Sequence, residues 1–273
     1  RRNRHRVVER THDKPNALYT ERECHQNEIF DGTLEFLEEI ERRGGQYVFI
    51  TNNSSKSVED YVQKVRAMGI KAEYENFYTS GQATAMYLQE NYPNQVVYCM
   101  GTKSLIKELR EAGIEVVTEV DERAGVVLLG FDTENTSEKI RNTCIMLGRD
   151  VAYLATNPDL VCPVSFGYIP DCGSMSIMLK NATGKEPFFI GKPEPIMVNC
   201  VLKKLNCKRE DAVIVGDRLY TDIKTGANAQ VDTICVLSGE ASMEDILQGE
   251  VEPTYIFKSV KEIYEGLTEE TEL

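Results

Sequence analysis

The sequence has no tryptophan, only three histidines and no long apolar run. A membrane-spanning helix needs roughly 18 or more consecutive apolar residues, so we expect no membrane partner. The basic opening, RRNRHRVVER, is followed by no apolar stretch and is not expected to be a signal peptide. A cytoplasmic location is predicted on these grounds.

Positive charge is also scarce. The chain has 31 Lys and Arg against 44 Asp and Glu, which gives a net charge of −13. Surfaces that bind nucleic acid need clustered basic residues to neutralise phosphates, so no nucleic-acid partner is expected. The basic opening segment is interpreted as a solvated tail.

The eight cysteines form no C-x-x-C pair and fit no zinc-binding pattern. A chain of 273 residues with 41% apolar content can bury a core without disulfides, in one large domain or two smaller ones. We therefore expect buried, reduced thiols.

Short apolar segments alternate with helical patterns from residue 34 onward. The predicted strands are QYVFIT, QVVYCMG, GVVLLGF, VAYLAT, PFFIG, AVIVGD and DTICVLSG. The predicted helices are TLEFLEEIERRGG, SVEDYVQKVRAMG and the stretches at about 103–112, 137–147, 195–205 and 221–229. This alternation predicts an α/β fold with a doubly wound parallel sheet. Ligands of such sheets bind at the carboxyl ends of the strands.

Polar residues follow three of these strands. Thr51-Asn52-Asn53-Ser54-Ser55 could cradle an oxyanion, or form an ordinary capped strand–helix turn. Lys192 could neutralise a phosphate or a carboxylate, or simply be solvated. Asp217, with Asp222 five residues later, offers the hard oxygen ligands that suit Mg²⁺, or caps a helix.

The order of these motifs is more specific than each motif alone. The segments VFITNNSSKS, ATNPD, GYIPDCGSM, TGKEPFFIGKPEP and VIVGDRLYTDI resemble the haloacid dehalogenase-like (HAD) superfamily, in its NagD-like, p-nitrophenyl-phosphatase subfamily. The resemblance runs from about residue 29 to the C-terminus. It implies a HAD-like core at 1–82 and 183–273, with an inserted α/β cap at 83–182 that selects the substrate.

The resemblance also implies an activity. It is Mg²⁺-dependent hydrolysis of a small phosphorylated metabolite, such as a sugar phosphate or nucleotide monophosphate, through an aspartyl-phosphate. A homodimer is compatible with this, although no sequence feature points to one. The alternatives are a non-catalytic phospholigand-binding protein and a dinucleotide-binding oxidoreductase. The oxidoreductase ranks lowest because no G-x-G-x-x-G follows the first strand.

The family's roles fall on particular residues. Thr51 would hydrogen-bond the phosphoryl group, Asn52 and Asn53 would shape the substrate pocket, and Lys192 would offset negative charge. Asp217 would bind Mg²⁺ and Asp222 would support that metal site.

The loop at 167–175 is implied to face the substrate. An acid at Asp171 in this loop would disfavour strongly anionic substrates or bind cationic ones. Asp171 is therefore a predicted substrate-binding residue.

The nucleophile is the weak point of the resemblance. Asp31-Gly32-Thr33 has no D-x-D pattern, and we interpret it as a helix start with Asp31 as its cap. Upstream, Asp13 aligns with the family's nucleophile, which also binds the metal, while Pro15 aligns with the acid/base Asp. General acid–base help is worth about 10²–10⁴-fold, so weak activity is expected. Either the nucleophile loop has been lost, or a reading-frame shift has altered the N-terminal segment.

Overall fold

The computed structural model of the protein describes the main chain of residues 16–20, 24–25 and 28–269, with side chains from 29 to 268. The strands are β1 (Asn16–Thr20), β2 (Cys24–His25), β3 (Glu28–Ile29), β4 (Gln46–Thr51), β5 (Phe77–Thr79), β6 (Val96–Met100), β7 (Val116–Val117), β8 (Ala124–Leu129), β9 (Ala152–Ala155), β10 (Val161–Val164), β11 (Gly167–Pro170), β12 (Phe188–Phe189), β13 (Ala212–Gly216), β14 (Asp232–Val236) and β15 (Tyr255–Phe257).

The α-helices lie between the strands. They are α1 (Thr33–Arg42), α2 (Val58–Ala67), α3 (Ser80–Asn91), α4 (Lys103–Glu111), α5 (Ser137–Leu147), α6 (Cys172–Thr183), α7 (Ile196–Leu205), α8 (Lys224–Ala229), α9 (Met243–Gln248) and α10 (Val260–Glu269). Two short 3₁₀ turns and a π-helical turn at Leu219–Ile223 complete the described elements.

The chain divides into two compact units. The first contains the described residues within Arg1–Ile50, Val62–Tyr78 and Lys192–Leu273, and the second contains Thr51–Tyr61 and Thr79–Gly191. Each unit has its own central sheet.

The sheet of the first unit has the strand order β15-β14-β13-β1-β4-β5. The central strand β1 pairs in parallel with both β13 and β4. Tyr19 lies opposite Val215 and Phe49, and Thr20 lies opposite Ile50. Because the pairings are parallel, β1, β4 and β13 end at the same edge of this sheet.

Helix α1 shows how the helices of the first unit meet their core. Phe36, Leu37 and Ile40 recur at helical spacing and are all buried, whereas Glu38 and Glu41 are exposed. The helix begins after Gly32 and packs beside α10. Burying each large apolar side chain of this kind contributes about 1.5–3 kcal/mol.

The sheet of the second unit has the order β12-β9-β8-β6-β7, and all of these pairs are parallel. Alternate residues of β6 lie in different core clusters: Tyr98 and Met100 in one, Val97 and Cys99 in the other. Both faces of this sheet are therefore covered, which explains why its strands read as continuous apolar runs. A separate antiparallel hairpin joins β10 and β11.

The predicted α/β fold with parallel sheets is confirmed, and every predicted strand forms. The Ser57 and Asp60 side chains cap α2 reciprocally, as the sequence indicates. The strand PFFIG, which we assigned to the core, pairs with β9 of the second unit. The domain boundaries at 83 and 182 stay a prediction.

The sequence predicts reduced cysteines and no membrane-spanning helix. Seven of the eight cysteines have described side chains, and all seven are free thiols. Among the described helices, none is both long enough and apolar enough to cross a bilayer.

Candidate active site

Strand β13 delivers Asp217 to the carboxyl edge of the first unit's sheet. Its carboxylate is buried and accepts a 2.8 Å hydrogen bond from the Glu240 backbone N–H, and its carbonyl accepts one from Ala241 N. A Cβ at Gly239 would lie 2.1 Å from Asp217 Oδ2, so only glycine leaves room for this carboxylate. The loop after β14 thus shapes the space around Asp217.

Asp222 returns to the same edge through the π-helical turn. Its Oδ2 accepts a 3.2 Å hydrogen bond from Arg218 N, and its side chain is buried. The wider turn keeps both Asp222 N and Ile223 N bonded to Arg218 O. Such π turns occur frequently at functional sites.

Lys192 lies against Asp222. Its Nζ donates to Asp222 Oδ1 at 2.8 Å and to the Ile50 carbonyl oxygen at 3.2 Å, and the lysine is only 7% exposed. The ammonium group is thereby fixed at the carboxyl end of β4. The structure thus brings Lys192 and Asp222 together.

The chemistry of these three residues suits a bound cation. Two carboxylates and one ammonium are buried in this part of the first unit, and buried charges are costly unless they are paired or coordinate a metal. Among the described residues, no three His, Cys, Asp or Glu side chains form a metal-binding group. Mg²⁺ commonly uses only one or two carboxylates and keeps several waters, so Asp217 fits as a ligand, with Asp222 as its support.

The pKa of the Cys235 thiol is affected by the charges at this edge. Burial and the neighbouring charges of Asp217 and Asp222 raise the pKa of its thiol to about 12. The thiol therefore stays protonated at neutral pH and is no nucleophile.

The loop Thr51–Ser55 follows β4 and belongs to the second unit. Thr51 Oγ1 accepts a 3.1 Å bond from Asn53 N, and Asn53 Oδ1 accepts bonds from both Ser55 N and Ser55 Oγ. Ser54 is buried, and its Oγ lies 2.9 Å from Thr156 Oγ1 and accepts a bond from Phe131 N. The loop is thus anchored on the carboxyl edge of the second unit's own sheet, where β8 and β9 end.

Asp171 has a structural role. It is the N-cap of α6, its carboxylate is buried, and it accepts bonds from Cys172 N at 2.6 Å and Asn157 Nδ2 at 3.1 Å. A buried carboxylate engaged in this way favours helix capping over contact with a substrate. Its predicted role in substrate binding stays a prediction.

The triplet at 31–33 is a helix start, as predicted, but Asp31 does not cap it. Gly32 occupies the N-cap position at φ 85°, without a side-chain cap bond. Asp31 instead pairs with Lys261 at 2.7 Å on the surface, and that contact lowers the pKa of its carboxyl. The cap assignment was wrong because Gly32 adopts the left-handed conformation that glycine tolerates best.

The predicted nucleophile Asp13 lies outside the described residues and stays a prediction. It precedes β1 along the chain, whereas the chemistry needs a carboxylate after this strand. Strand β1 ends at Thr20, and Glu21 and Glu23 follow in the sequence, also outside the described residues.

Sequence reasoning missed two residues at these edges. Glu240 supplies the backbone N–H that holds Asp217. Asp159 accepts the Asn52 side-chain amide. The ATNPD segment was a signal for Asp159, because an acid follows a polar turn directly after a strand.

The sequence matches two family models. Residues 24–115 match a haloacid dehalogenase-like hydrolase model, and residues 189–263 match a second HAD-hydrolase-like model. An acid sugar phosphatase of Staphylococcus saprophyticus is 35% identical over 88% of this chain and 92% of that protein.

Solved structures agree with these matches. The 4-nitrophenylphosphatase of Thermotoga maritima superimposes with a TM-score of 0.88, at 35% identity over 96% of this chain and 99% of that chain. NagD from E. coli K-12 gives a TM-score of 0.83, at 31% identity over 90% of this chain and 97% of that chain. The chain belongs to the haloacid dehalogenase-like hydrolases, in their NagD-like subfamily.

Proposed function

We propose that this protein is a Mg²⁺-dependent phosphatase that hydrolyses small phosphomonoesters through an aspartyl-phosphate. The observation that carries the proposal is the buried cluster of Lys192, Asp217 and Asp222 at one sheet edge. Relatives named acid sugar phosphatase and 4-nitrophenylphosphatase support the reaction class. Sugar phosphates are the first substrates to test, followed by nucleotide monophosphates, and a cytoplasmic location stays part of the proposal.

The residues have distinct proposed roles. Lys192, held by Asp222 and the Ile50 carbonyl, offsets negative charge as the phosphoryl group is transferred. The Thr51 hydroxyl donates to a phosphoryl oxygen, and Asn52 and Asn53 shape the loop that follows it. Asp217 would hold Mg²⁺, with Asp222 in support; the bound metal would polarise the phosphoryl oxygens.

The test is hydrolysis of p-nitrophenyl phosphate with and without Mg²⁺, by the protein and by its Asp217→Asn variant. We expect metal-dependent turnover that falls by about 100-fold or more in the variant, since a metal ion supplies several kcal/mol of transition-state stabilisation. Turnover that needs no metal, or that Asp217→Asn leaves intact, would contradict the proposal.

The nucleophile is assigned by three further variants, Asp13→Asn, Glu21→Gln and Glu23→Gln. The essential carboxylate is the one whose loss removes turnover and the covalent phosphoryl-enzyme together. Phosphate binding without turnover in the unmodified protein would favour the alternative, a non-catalytic phospholigand-binding protein.

A further inference from the structure

We propose that Asp159 is a positioning residue for the loop Thr51–Ser55. Its carboxylate fixes the Asn52 side chain and, through it, the main chain of the loop. The inference rests on the proposed function for its consequence in catalysis, but its structural content can be tested separately.

The orientation of Asn52 is determined by its neighbours. Asn52 Nδ2 lies 3.2 Å from Asp159 Oδ1 and 3.3 Å from Oδ2. An ionised carboxylate only accepts hydrogen bonds, so the amide nitrogen of Asn52 must face it. The amide oxygen is thereby turned towards Gly191, where an added Cβ would approach it to 2.6 Å.

Asn52 is therefore enclosed by three segments of the second unit. Asp159 follows β9, Gly191 follows β12, and Ser80 at the start of α3 donates its hydroxyl to the Asn52 carbonyl at 2.6 Å. Side chain and main chain are both held, and the residue is only 6% exposed.

Asp159 is itself held in place. Its carbonyl accepts a 2.8 Å bond from Gly173 N at the start of α6, and the neighbouring Leu160 carbonyl accepts one from Asp171 N. The capped start of α6 thus supports the turn that carries the Asp159 carboxylate. This arrangement gives the ATNPD and GYIPDCGSM segments a shared role in the second unit.

The consequence concerns phosphate binding. A loop that binds an anion through hydroxyl and N–H donors must be ordered beforehand, because each mobile donor reduces affinity by the entropy needed to fix it. In metal sites, loss of a residue that orients a direct ligand typically changes affinity or activity by about 10–100-fold, and we take the same scale for this loop. We expect an effect of this size from Asp159 without direct contact between it and the phosphate.

The experiment compares the unmodified 273-residue protein with Asp159→Ala, Asp159→Asn and a control, Glu119→Ala. The control removes a bond of the same kind in the same unit, between Asn142 Nδ2 and Glu119 Oε2 at 3.1 Å. Two readouts are used: amide hydrogen exchange of residues 51–55, and the dissociation constant of inorganic phosphate from its effect on Tm.

For Asp159→Ala we expect faster exchange at 51–55 and roughly 10-fold weaker phosphate binding. Exchange in β8 should be unchanged. Asp159→Asn should recover part of both effects, because its amide oxygen can still accept from Asn52. Glu119→Ala should change neither readout.

Unchanged exchange at 51–55 in Asp159→Ala would overturn the proposal. So would equal effects from Glu119→Ala, since these would indicate general destabilisation. If the unmodified protein bound no phosphate, the proposed function would fail, while the exchange data would still decide whether Asp159 orders the loop.

Discussion

The two sheets of this protein are both parallel, yet their carboxyl edges carry different chemistry. In the first unit the edge buries charged groups, Lys192, Asp217 and Asp222. In the second unit the loop on the carboxyl edge of that unit's sheet is held by the neutral hydroxyls of Ser54 and Thr156, and by Asn52, which donates to the Asp159 carboxylate. Buried charges are expensive unless they are paired, whereas neutral hydrogen bonds fix a loop at lower cost.

The largest loss of stability is expected when a charged group is removed from the carboxyl edge of the first unit's sheet. Lys192→Met leaves the buried Asp222 carboxylate without its ammonium partner, which should lower the free energy of unfolding by about 3–5 kcal/mol. Urea denaturation measures this loss. The double variant with Asp222→Asn should regain stability but not phosphatase activity, and no regain would mean that the two charges are not coupled.

A smaller loss of stability is expected when a neutral hydroxyl is removed from the carboxyl edge of the second unit's sheet. Ser54→Ala removes one partner of Thr156 Oγ1 and the acceptor of Phe131 N, so a buried N–H loses its bond. The expected loss is about 1–3 kcal/mol in urea denaturation. Ser55→Ala is the matched control. It should cost less, because Asn53 Oδ1 keeps the Ser55 N–H as a donor; equal losses would contradict the comparison.

Glu108 is a partly buried carboxyl group of the second unit. Burial, and secondarily the charge of Glu111, raise the pKa of Glu108 from 4.5 to about 7. Between pH 4.5 and 7 the folded state therefore binds more protons than the unfolded state. The contribution of Glu108 to the free energy of unfolding is complete below pH 4.5 and is lost as the pH rises through 7. Glu108→Gln should therefore raise Tm relative to the unmodified protein at pH 8, but not at pH 4. An equal difference at both pH values would refute this assignment.

The smallest effect is expected at the surface. Asp31→Asn breaks only the exposed pair with Lys261, and such pairs contribute little. Tm and p-nitrophenyl phosphate turnover should stay at the level of the unmodified protein. A loss of turnover would make Asp31 the nucleophile and reverse our interpretation of the triplet.

The sequence predicted the sheets well because most strands are buried on both faces and read as apolar runs. Strand β1 was missed because its residues were aligned with the nucleophile loop instead. Its central place depends on main-chain pairing with β4 and β13, which leaves little trace in residue type. The β10–β11 hairpin was missed for a related reason, since Pro163 and Pro170 argue against strands.

The positions of the candidate site residues after strands could be predicted in part from the sequence, but their contacts could not. Asp217 follows an apolar segment, so its place at the carboxyl edge of a sheet was predictable from the pattern. Lys192 also follows one, but that strand, β12, pairs within the second unit's sheet, so the contact of Lys192 with Asp222 was not predictable. The hydrogen bonds of Asn52 to Asp159 and of Asp217 to Glu240 join segments far apart in the chain. Local spacing carries no information about such pairs.

The π-helical turn at Leu219–Ile223 constrains the number of residues between Asp217 and Asp222, and not only the identity of the residues. In an α-helix each residue advances the chain by about 100° around the axis, and a π-helical turn likewise rotates with each residue. Deleting any one residue between Asp217 and Asp222 would therefore rotate Asp222 away from Lys192, even if both carboxylates and the lysine were kept. Variation in this segment should accordingly be found as substitutions and seldom as insertions or deletions.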